Sequence, residues 1–121
     1  MANPFVHVEL NTQDLPRAKE FYGKLFGWKT KDMDMGPGGT YTVIDPEGGT
    51  GGGMMKHPMP GAPSMWLAYV LVDDLDASTA KARSLGANII KEATEVPDMG
   101  RFTIFIDPTG APLALWEPKS M

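Results

Sequence analysis

The sequence predicts an α+β protein built from two tandem β-α-β-β-β modules that form a curled mixed sheet around a cavity. The main observation is an internal repeat, because an extended apolar run, an Asp-Leu pair and an amphipathic helix occur in residues 5–29 and again in residues 65–86. The two Asp-Leu pairs, at 14–15 and 74–75, lie 60 positions apart. Each copy ends near an Asp-Pro-x-Gly tetrad, at 45–48 and 107–110. A repeat of this length indicates two like modules that share one fold.

The first module, about residues 5–55, is predicted to run strand, helix and three strands. Residues 5–10 alternate and are rich in β-formers, so successive side chains point to opposite faces. One face carries Val6, Val8 and Leu10, and the other carries His7, Glu9 and Asn11. A helix is expected between Asp14, a good N-cap, and Gly27, a typical stop. Its apolar residues at helical spacing are expected to cover the valine face: Ala18, Phe21, Tyr22 and Leu25.

The second module, about residues 65–117, is predicted to repeat this order after a linker. Residues 56–64 hold three prolines and no periodicity, which is typical of a linker. The second helix begins after Asp74, and its inner face is expected to contain Leu75, Ser78, Ala82 and Leu85. Both Asp-Pro-x-Gly tetrads are typical of type I turns and predict hairpins that lead into the last strand of each module.

Length, charge and composition exclude several classes of function. A chain of 121 residues is one domain (1–121), and neither half is large enough to fold well alone. The net charge of −4 and the mixed signs give no basic patch, so nucleic acid and anionic membranes are not expected as partners. The sequence has no cysteine, no apolar run near the roughly 20 residues that span a bilayer, and no secretory signal at its start. We expect a cytoplasmic protein without disulfides.

Several motifs together carry a resemblance to a known family. His7 stands seven residues before Asp14-Leu15, an aromatic helix with Phe21-Tyr22 and a Leu-Phe-Gly-Trp ending follows, and the tetrad at 107–110 closes the second half. This pattern resembles the glyoxalase / bleomycin-resistance / extradiol-dioxygenase superfamily, also called the vicinal oxygen chelate superfamily, over nearly the whole chain. The Gly-Gly-Met-Met at 52–55 and the Val-Pro-x-x-Gly-Arg-Phe at 96–102 resemble a glyoxalase-like bacterial subfamily.

The resemblance also implies where a metal would bind. Metal enzymes of the family carry four ligands, commonly His or Glu, one on the first strand and one on the last strand of each module. Carried over at the repeat spacing, these positions fall on His7, Gly52, Leu67 and Ala114. A lone imidazole does not hold zinc, nickel or iron in a useful geometry, and the other three side chains offer no donor atom. We therefore predict no metal and no cofactor, with a divalent metal as the alternative.

The candidate site is the strand face that the helices leave uncovered. His7 and Glu9 are candidates for acid–base catalysis or for hydrogen bonding to a ligand, since a carboxylate raises the basicity of a neighbouring imidazole. The alternative is that His7 bonds only a backbone group or water. Alternation along the other strands predicts further lining residues: Met54, Leu67, Tyr69 and Trp116. Tyr69 either donates a hydrogen bond to a ligand or is an ordinary half-buried strand aromatic.

Two further features are interpreted as structural. His57 lies in the predicted linker and is expected to be a solvated loop residue. The glycines within 48–53 lack the Gly-Lys-Ser/Thr ending of a phosphate-binding loop, and no helix follows them. They indicate a close backbone approach at a sheet edge, or a contact in a dimer.

The sequence thus predicts a small-molecule-binding protein of this family that lacks the usual four-ligand metal site. The expected ligand is an apolar or aromatic compound with a few polar groups, and the protein is expected to be a homodimer. The alternative is a metal-dependent glyoxalase-like lyase or isomerase with a non-standard site at His7 and Glu9, completed by a second chain. Whether the protein is an enzyme, and whether the cavity lies within or between chains, stays open at this point.

Overall fold

The computed structural model describes residues 3–36 and 39–119 and follows the predicted order of elements. The first half contains β1 (Phe5–Thr12), α1 (Leu15–Phe26), β2 (Lys29–Asp34), β3 (Thr40–Asp45) and β4 (Gly52–Lys56). The second half contains β5 (Met65–Leu71), α2 (Leu75–Ser84), β6 (Asn88–Val96), β7 (Gly100–Ile106) and β8 (Pro112–Pro118). The α+β class and the two β-α-β-β-β modules are therefore confirmed. In the described parts of the chain, no helix is both long and apolar enough to cross a membrane.

The chain forms two compact units, which are described separately. The first unit comprises residues 7–67, and the second comprises residues 68–119 together with residues 3–6. The N-terminal residues join the second unit because the Leu71 amide donates to the Pro4 carbonyl at 2.9 Å. In addition, the Asn3 side-chain amide donates to the Leu71 carbonyl at 2.8 Å.

The sheet of the first unit has the strand order β2-β3-β4-β1, with β1 parallel to β4 and the other pairs antiparallel. The Asp14 carboxylate caps α1 by accepting from the Arg17 amide at 3.1 Å, and Gly27 ends the helix at φ +70°. Under α1 lies a cluster of strand residues packed against helix and post-helix residues: Leu10, Ile44 and Met54 against Leu15, Ala18, Tyr22 and Trp28.

One part of the predicted helix stripe is wrong. Phe21 and Leu25 were expected to be buried, but they are 57% and 56% exposed. The four predicted positions cover a wide part of the helix surface. Only the edge that contains Ala18 and Tyr22, together with Leu15, packs against the sheet.

The sheet of the second unit has the order β5-β8-β7-β6, with β5 parallel to β8. The Asp74 carboxylate caps α2 through the Ala77 amide at 3.1 Å. The core under this helix contains Val72, Leu75 and Leu115, packed by Val70, Ala93 and Phe105. Thr79, not Leu85, completes the inner face of α2: Thr79 is 1% exposed and Leu85 is 69% exposed.

The two Asp-Pro-x-Gly tetrads form different turns. At 107–110 the Gly110 amide donates to the Asp107 carbonyl at 2.9 Å, as in the predicted β-turn. Amide and hydroxyl donors at Ala111 and Thr109 also lower the pKa of the Asp107 carboxyl. At 45–48, however, Glu47 has φ +64°, whereas a type I turn keeps φ negative at both central residues. The type I prediction is therefore wrong for the first tetrad.

Candidate functional site

Strand β1 presents polar side chains on the face of the first sheet that α1 does not cover. Leu10 packs into the core under the helix, so the side chains of its neighbours along β1 point to the opposite face of the sheet. Those residues are Glu9 and Asn11, with His7 one pleat earlier. The predicted division of β1 into an apolar and a polar face is confirmed.

A polar network joins these side chains through Tyr41 of β3. His7 Nε2 lies 2.6 Å from the Tyr41 hydroxyl oxygen, and that hydroxyl donates to Glu9 Oε1 at 3.0 Å. The Asn11 side-chain amide donates to Glu9 Oε2 at 3.2 Å. Glu9 is only 8% exposed, so these bonds replace much of the hydration that its carboxylate loses. We refer to His7, Glu9, Asn11 and Tyr41 as the polar network.

The two bonds at Tyr41 constrain where the protons lie. A phenol has one hydrogen to donate, so when Tyr41 donates to Glu9 its oxygen accepts from the N–H of His7 Nε2. Burial lowers the pKa of His7 below its ordinary value of 6.5, which keeps the imidazole neutral at pH 7. The arrangement thus holds one phenol oxygen between an imidazole and a carboxylate. Such an oxygen can accept a hydrogen bond from a ligand hydroxyl group, and the two neighbours can supply or remove a proton.

Gly53 makes this network possible. Tyr41 lies on β3, and its side chain must cross β4 to reach β1. A Cβ atom at position 53 would overlap the phenol ring of Tyr41. The absence of a side chain at Gly53 therefore opens the path of Tyr41 to His7 and Glu9.

The neighbouring glycine has a different role. A Cβ atom at Gly52 would overlap the carbonyl oxygen of Val8, its partner in the parallel β1–β4 pair. The predicted close backbone approach is confirmed here. Its predicted place is wrong, because β4 lies between β3 and β1 and is not an edge strand of this unit.

The register corrects one of the four metal-ligand positions carried over by spacing. Tyr69 pairs with Ala114 in the second unit, and Glu9, its counterpart in the repeat, pairs with Gly53. The equivalent of Ala114 is thus Gly53, and the carry-over to Gly52 is wrong by one residue. Glycine, alanine and leucine supply no donor atom, so these residues do not fit the four-ligand site of the family's metal enzymes. Within residues 3–36 and 39–119, no three His, Cys, Asp or Glu side chains form a metal-binding group.

Met54 was predicted to line the site, and the structure corrects this. Its side chain is 0% exposed and packs with Leu10 and Ile44 in the core under α1. The error has the same cause as the carry-over to Gly52, which is one residue away from the position that the register gives, Gly53. Alternation along β4 puts Gly53 on the network face and Met54 on the helix face.

The second unit carries an aromatic group on the strand face away from α2. Tyr69 is 6% exposed and meets Phe102 edge to face, with ring centroids 6.3 Å apart. Trp116 pairs with Phe102 across the β7–β8 ladder, and Lys91 Nζ lies 5.6 Å from the Phe102 ring centroid. Leu67, 6% exposed, is the last residue of the first unit, and alternation along β5 gives it the same side of the strand as Tyr69. Leu67, Tyr69 and Trp116 thus take the faces that alternation predicted.

Tyr41 and Phe102 were not predicted as site residues, although Phe102 ends the motif at 96–102. Their strands were predicted, but their neighbours depend on strand order and register. The remaining histidine, His57, makes a local loop contact, since its Nδ1 accepts from the Met59 amide at 3.0 Å. This contact agrees with its interpretation as a loop residue.

Comparisons with known proteins identify the family. Residues 5–115 match the family model described as the Glyoxalase/Bleomycin resistance protein/Dioxygenase superfamily. The "Putative glyoxylase CFP32" of Mycobacterium tuberculosis is 37% identical over 110 residues, which are 91% of this chain and 42% of that protein. The "Anthracycline biosynthesis protein DnrV" of Streptomyces peucetius is 31% identical over 128 residues, covering 93% of this chain and 46% of that protein. The chain therefore spans less than half the length of these curated relatives.

A solved structure shows the same fold. The crystal structure of methylmalonyl-CoA epimerase from Mycobacterium tuberculosis matches with a TM-score of 0.74 over 96% of this chain and 88% of that chain. At 20% sequence identity, this likeness concerns the fold alone. The match to the family model extends over most of the sequence and over both modules. This chain belongs to the glyoxalase/bleomycin resistance protein/dioxygenase superfamily.

Proposed function

We propose that this protein binds a small organic molecule that combines aromatic or apolar rings with at least one hydroxyl group. The observation that carries the proposal is the polar network on the uncovered face of the first sheet. Polar side chains cost free energy when they are buried, and a fully connected network of them fixes one geometry. A network that is not needed to join α1 to the sheet is well suited to orient a ligand.

The residues of the network would have distinct roles. The Tyr41 oxygen, held by His7 and Glu9, would bond the polar group of the ligand. Asn11 would keep the Glu9 carboxylate in place, as its 3.2 Å bond does in the structure. The arrangement is a hydrogen-bonding site that operates without metal, which is consistent with the missing donor atoms at Gly53, Leu67 and Ala114.

The aromatic group of the second unit would bind aromatic rings on the uncovered face of its own sheet. Tyr69, Phe102 and Trp116 offer flat apolar surfaces, and aromatic pairs add about 0.5–1.5 kcal/mol beyond the burial of their area. The similarity to an anthracycline biosynthesis protein also supports a ligand with aromatic rings. We further propose that the protein is a homodimer, which light scattering coupled to size-exclusion chromatography tests.

Binding of a hydroxyanthraquinone, measured by calorimetry, tests the proposal. Tyr41→Phe removes the hydroxyl and keeps the ring over Gly53, and we expect it to weaken binding about tenfold, which corresponds to one hydrogen bond of about 1.4 kcal/mol. Tyr22→Phe is the matched control, because Tyr22 lies on the helix face of the same unit and should leave the affinity unchanged. Unchanged binding by both Tyr41→Phe and His7→Ala would overturn the proposal.

Metal analysis of protein purified without chelators separates the alternative function. A stoichiometric divalent ion that is lost in His7→Ala would favour a metal-dependent glyoxalase-like lyase or isomerase using His7 and Glu9. Protein that binds the hydroxyanthraquinone equally well before and after treatment with a chelator supports the binding function.

A further inference from the structure

A pocket lies on the helix face of the first sheet, on the opposite side from the polar network. It is a partly open hollow of about 300 Å³ beside Trp28 and Trp66. Its other principal lining residues are Val8, Ile44, Pro46 and Gly52. We call it the tryptophan pocket.

The floor of the pocket owes its shape to a glycine. Gly52 lies between Val8 of β1 and Ile44 of β3, each its direct partner in the sheet. Because Gly52 has no side chain, it leaves a depression between two branched apolar residues. Part of the glycine-rich segment thus shapes a hollow, in addition to permitting the close approach of β1 and β4.

The walls of the pocket are aromatic and held in place. The rings of Trp28 and Trp66 lie 6.4 Å apart at an interplanar angle of 79°. Tyr22 of α1 stacks on Trp28 at 5.8 Å and meets Trp66 edge to face at 5.4 Å. Trp66 nevertheless remains 36% exposed, which is a large apolar surface to leave in contact with water.

The residues that line the pocket are uncharged, and an ion pair lies beside its walls. Lys29 follows Trp28 and Glu47 follows Pro46, and their side chains form an ion pair of 2.6 Å. The lining itself is uncharged, so it matches an uncharged ligand better than an ion.

We propose that the tryptophan pocket is a second ligand site that binds an uncharged molecule through a planar aromatic group of one or two fused rings. Two indole planes at nearly a right angle offer one ring for stacking and another for an edge-to-face contact. The volume lies at the lower end of the range for ligand pockets, about 300–1,000 Å³, and limits the occupant to a small ring system. Alternation along β1 puts this site and the polar network on opposite faces of the sheet, so they are separate sites.

Nuclear magnetic resonance with indole as the probe tests this proposal. The indole N–H signals of Trp28, Trp66 and Trp116 are assigned from single Trp→Phe variants and followed during a titration. We expect saturable shifts at Trp28 and Trp66. Trp66→Ala should raise the Kd for indole at least tenfold, and Leu85→Ala, an equally apolar change at a position 69% exposed in the other unit, should leave it unchanged.

A second variant keeps the test decisive if Trp66→Ala unfolds. Thr50 lines the pocket and is exposed at its rim, so Thr50→Phe should fill the space and abolish the shifts while both tryptophans remain. Shifts confined to Trp116, or no saturable shift up to the solubility of indole, would overturn the proposal. Shifts of Trp28 and Trp66 that follow protein concentration without indole would also overturn it, because a second copy would then fill the pocket.

Discussion

A single methyl group added at residue 53 tests whether Tyr41 crosses β4 to reach His7 and Glu9. The structure places the phenol ring where the Cβ of Gly53→Ala would lie. The ring must therefore press against the new methyl group or swing away, and swinging away breaks its bonds to His7 and to the Glu9 carboxylate.

The size of the effect follows from opposing contributions. Overpacking costs about 1–3 kcal/mol, and losing a hydrogen bond to a charged group costs about 1.5–3 kcal/mol. Replacing glycine by alanine in an ordinary strand conformation stabilises by about 0.4–1 kcal/mol through the unfolded chain. We expect Gly53→Ala to lower the free energy of unfolding by about 1–2 kcal/mol. In a Tyr41→Ala background no ring is in the way, and the same change should raise it by about 0.4–1 kcal/mol.

Urea unfolding of the four proteins in this double-mutant cycle, followed by tryptophan fluorescence, measures the coupling. Gly23→Ala is the control, because its Cβ meets no atom within 4 Å in the middle of α1. It should stabilise both backgrounds by about 0.5–1 kcal/mol. An equal cost of Gly53→Ala with and without the Tyr41 ring would refute the path we assign to that side chain.

Three other results are expected. Gly52→Ala should lower the free energy of unfolding with or without the Tyr41 ring, because the new Cβ would meet the backbone carbonyl of Val8. Urea unfolding in which Tyr41→Ala rescues Gly52→Ala would contradict this. Since burial lowers the pKa of His7, the unfolded chain takes up the proton first as the pH falls. The free energy of unfolding should therefore reach its full value above pH 6.5 and decline as the pH falls below it. The dependence of Tm on pH should be weaker in His7→Gln. Leu75→Ala, at a position 0% exposed, should cost about 2–5 kcal/mol in unfolding free energy, against less than about 0.5 kcal/mol for Leu85→Ala.

The features that could be predicted from the sequence are the local ones. Asp14, Gly27 and Asp74 mark the ends of the helices because capping depends on a few neighbouring residues. The alternation of β1 likewise put His7 and Glu9 on the uncovered face. The repeat supplied the order of the elements, and it also predicted the parallel roles of the first strand in the two modules.

The features that were missed depend on register between strands. Tyr41 joins the network only because β4 lies between β3 and β1 and has a glycine where the ring crosses, and no local pattern contains that information. Met54 was assigned to the wrong face because the two modules differ by one residue before their last strand, and a shift of one residue moves every side chain to the opposite face. Phe21 is exposed because packing, not periodicity, decides which edge of a wide apolar stripe faces the sheet.

Calorimetric titration of chelator-treated protein with a hydroxyanthraquinone tests whether the polar network binds a ligand without a metal. We expect saturable binding with the same Kd in a chelator and in added zinc, nickel or manganese, and about tenfold weaker binding by Tyr41→Phe. Binding that appears only with a stoichiometric ion, and that disappears with the imidazole of His7, would contradict it.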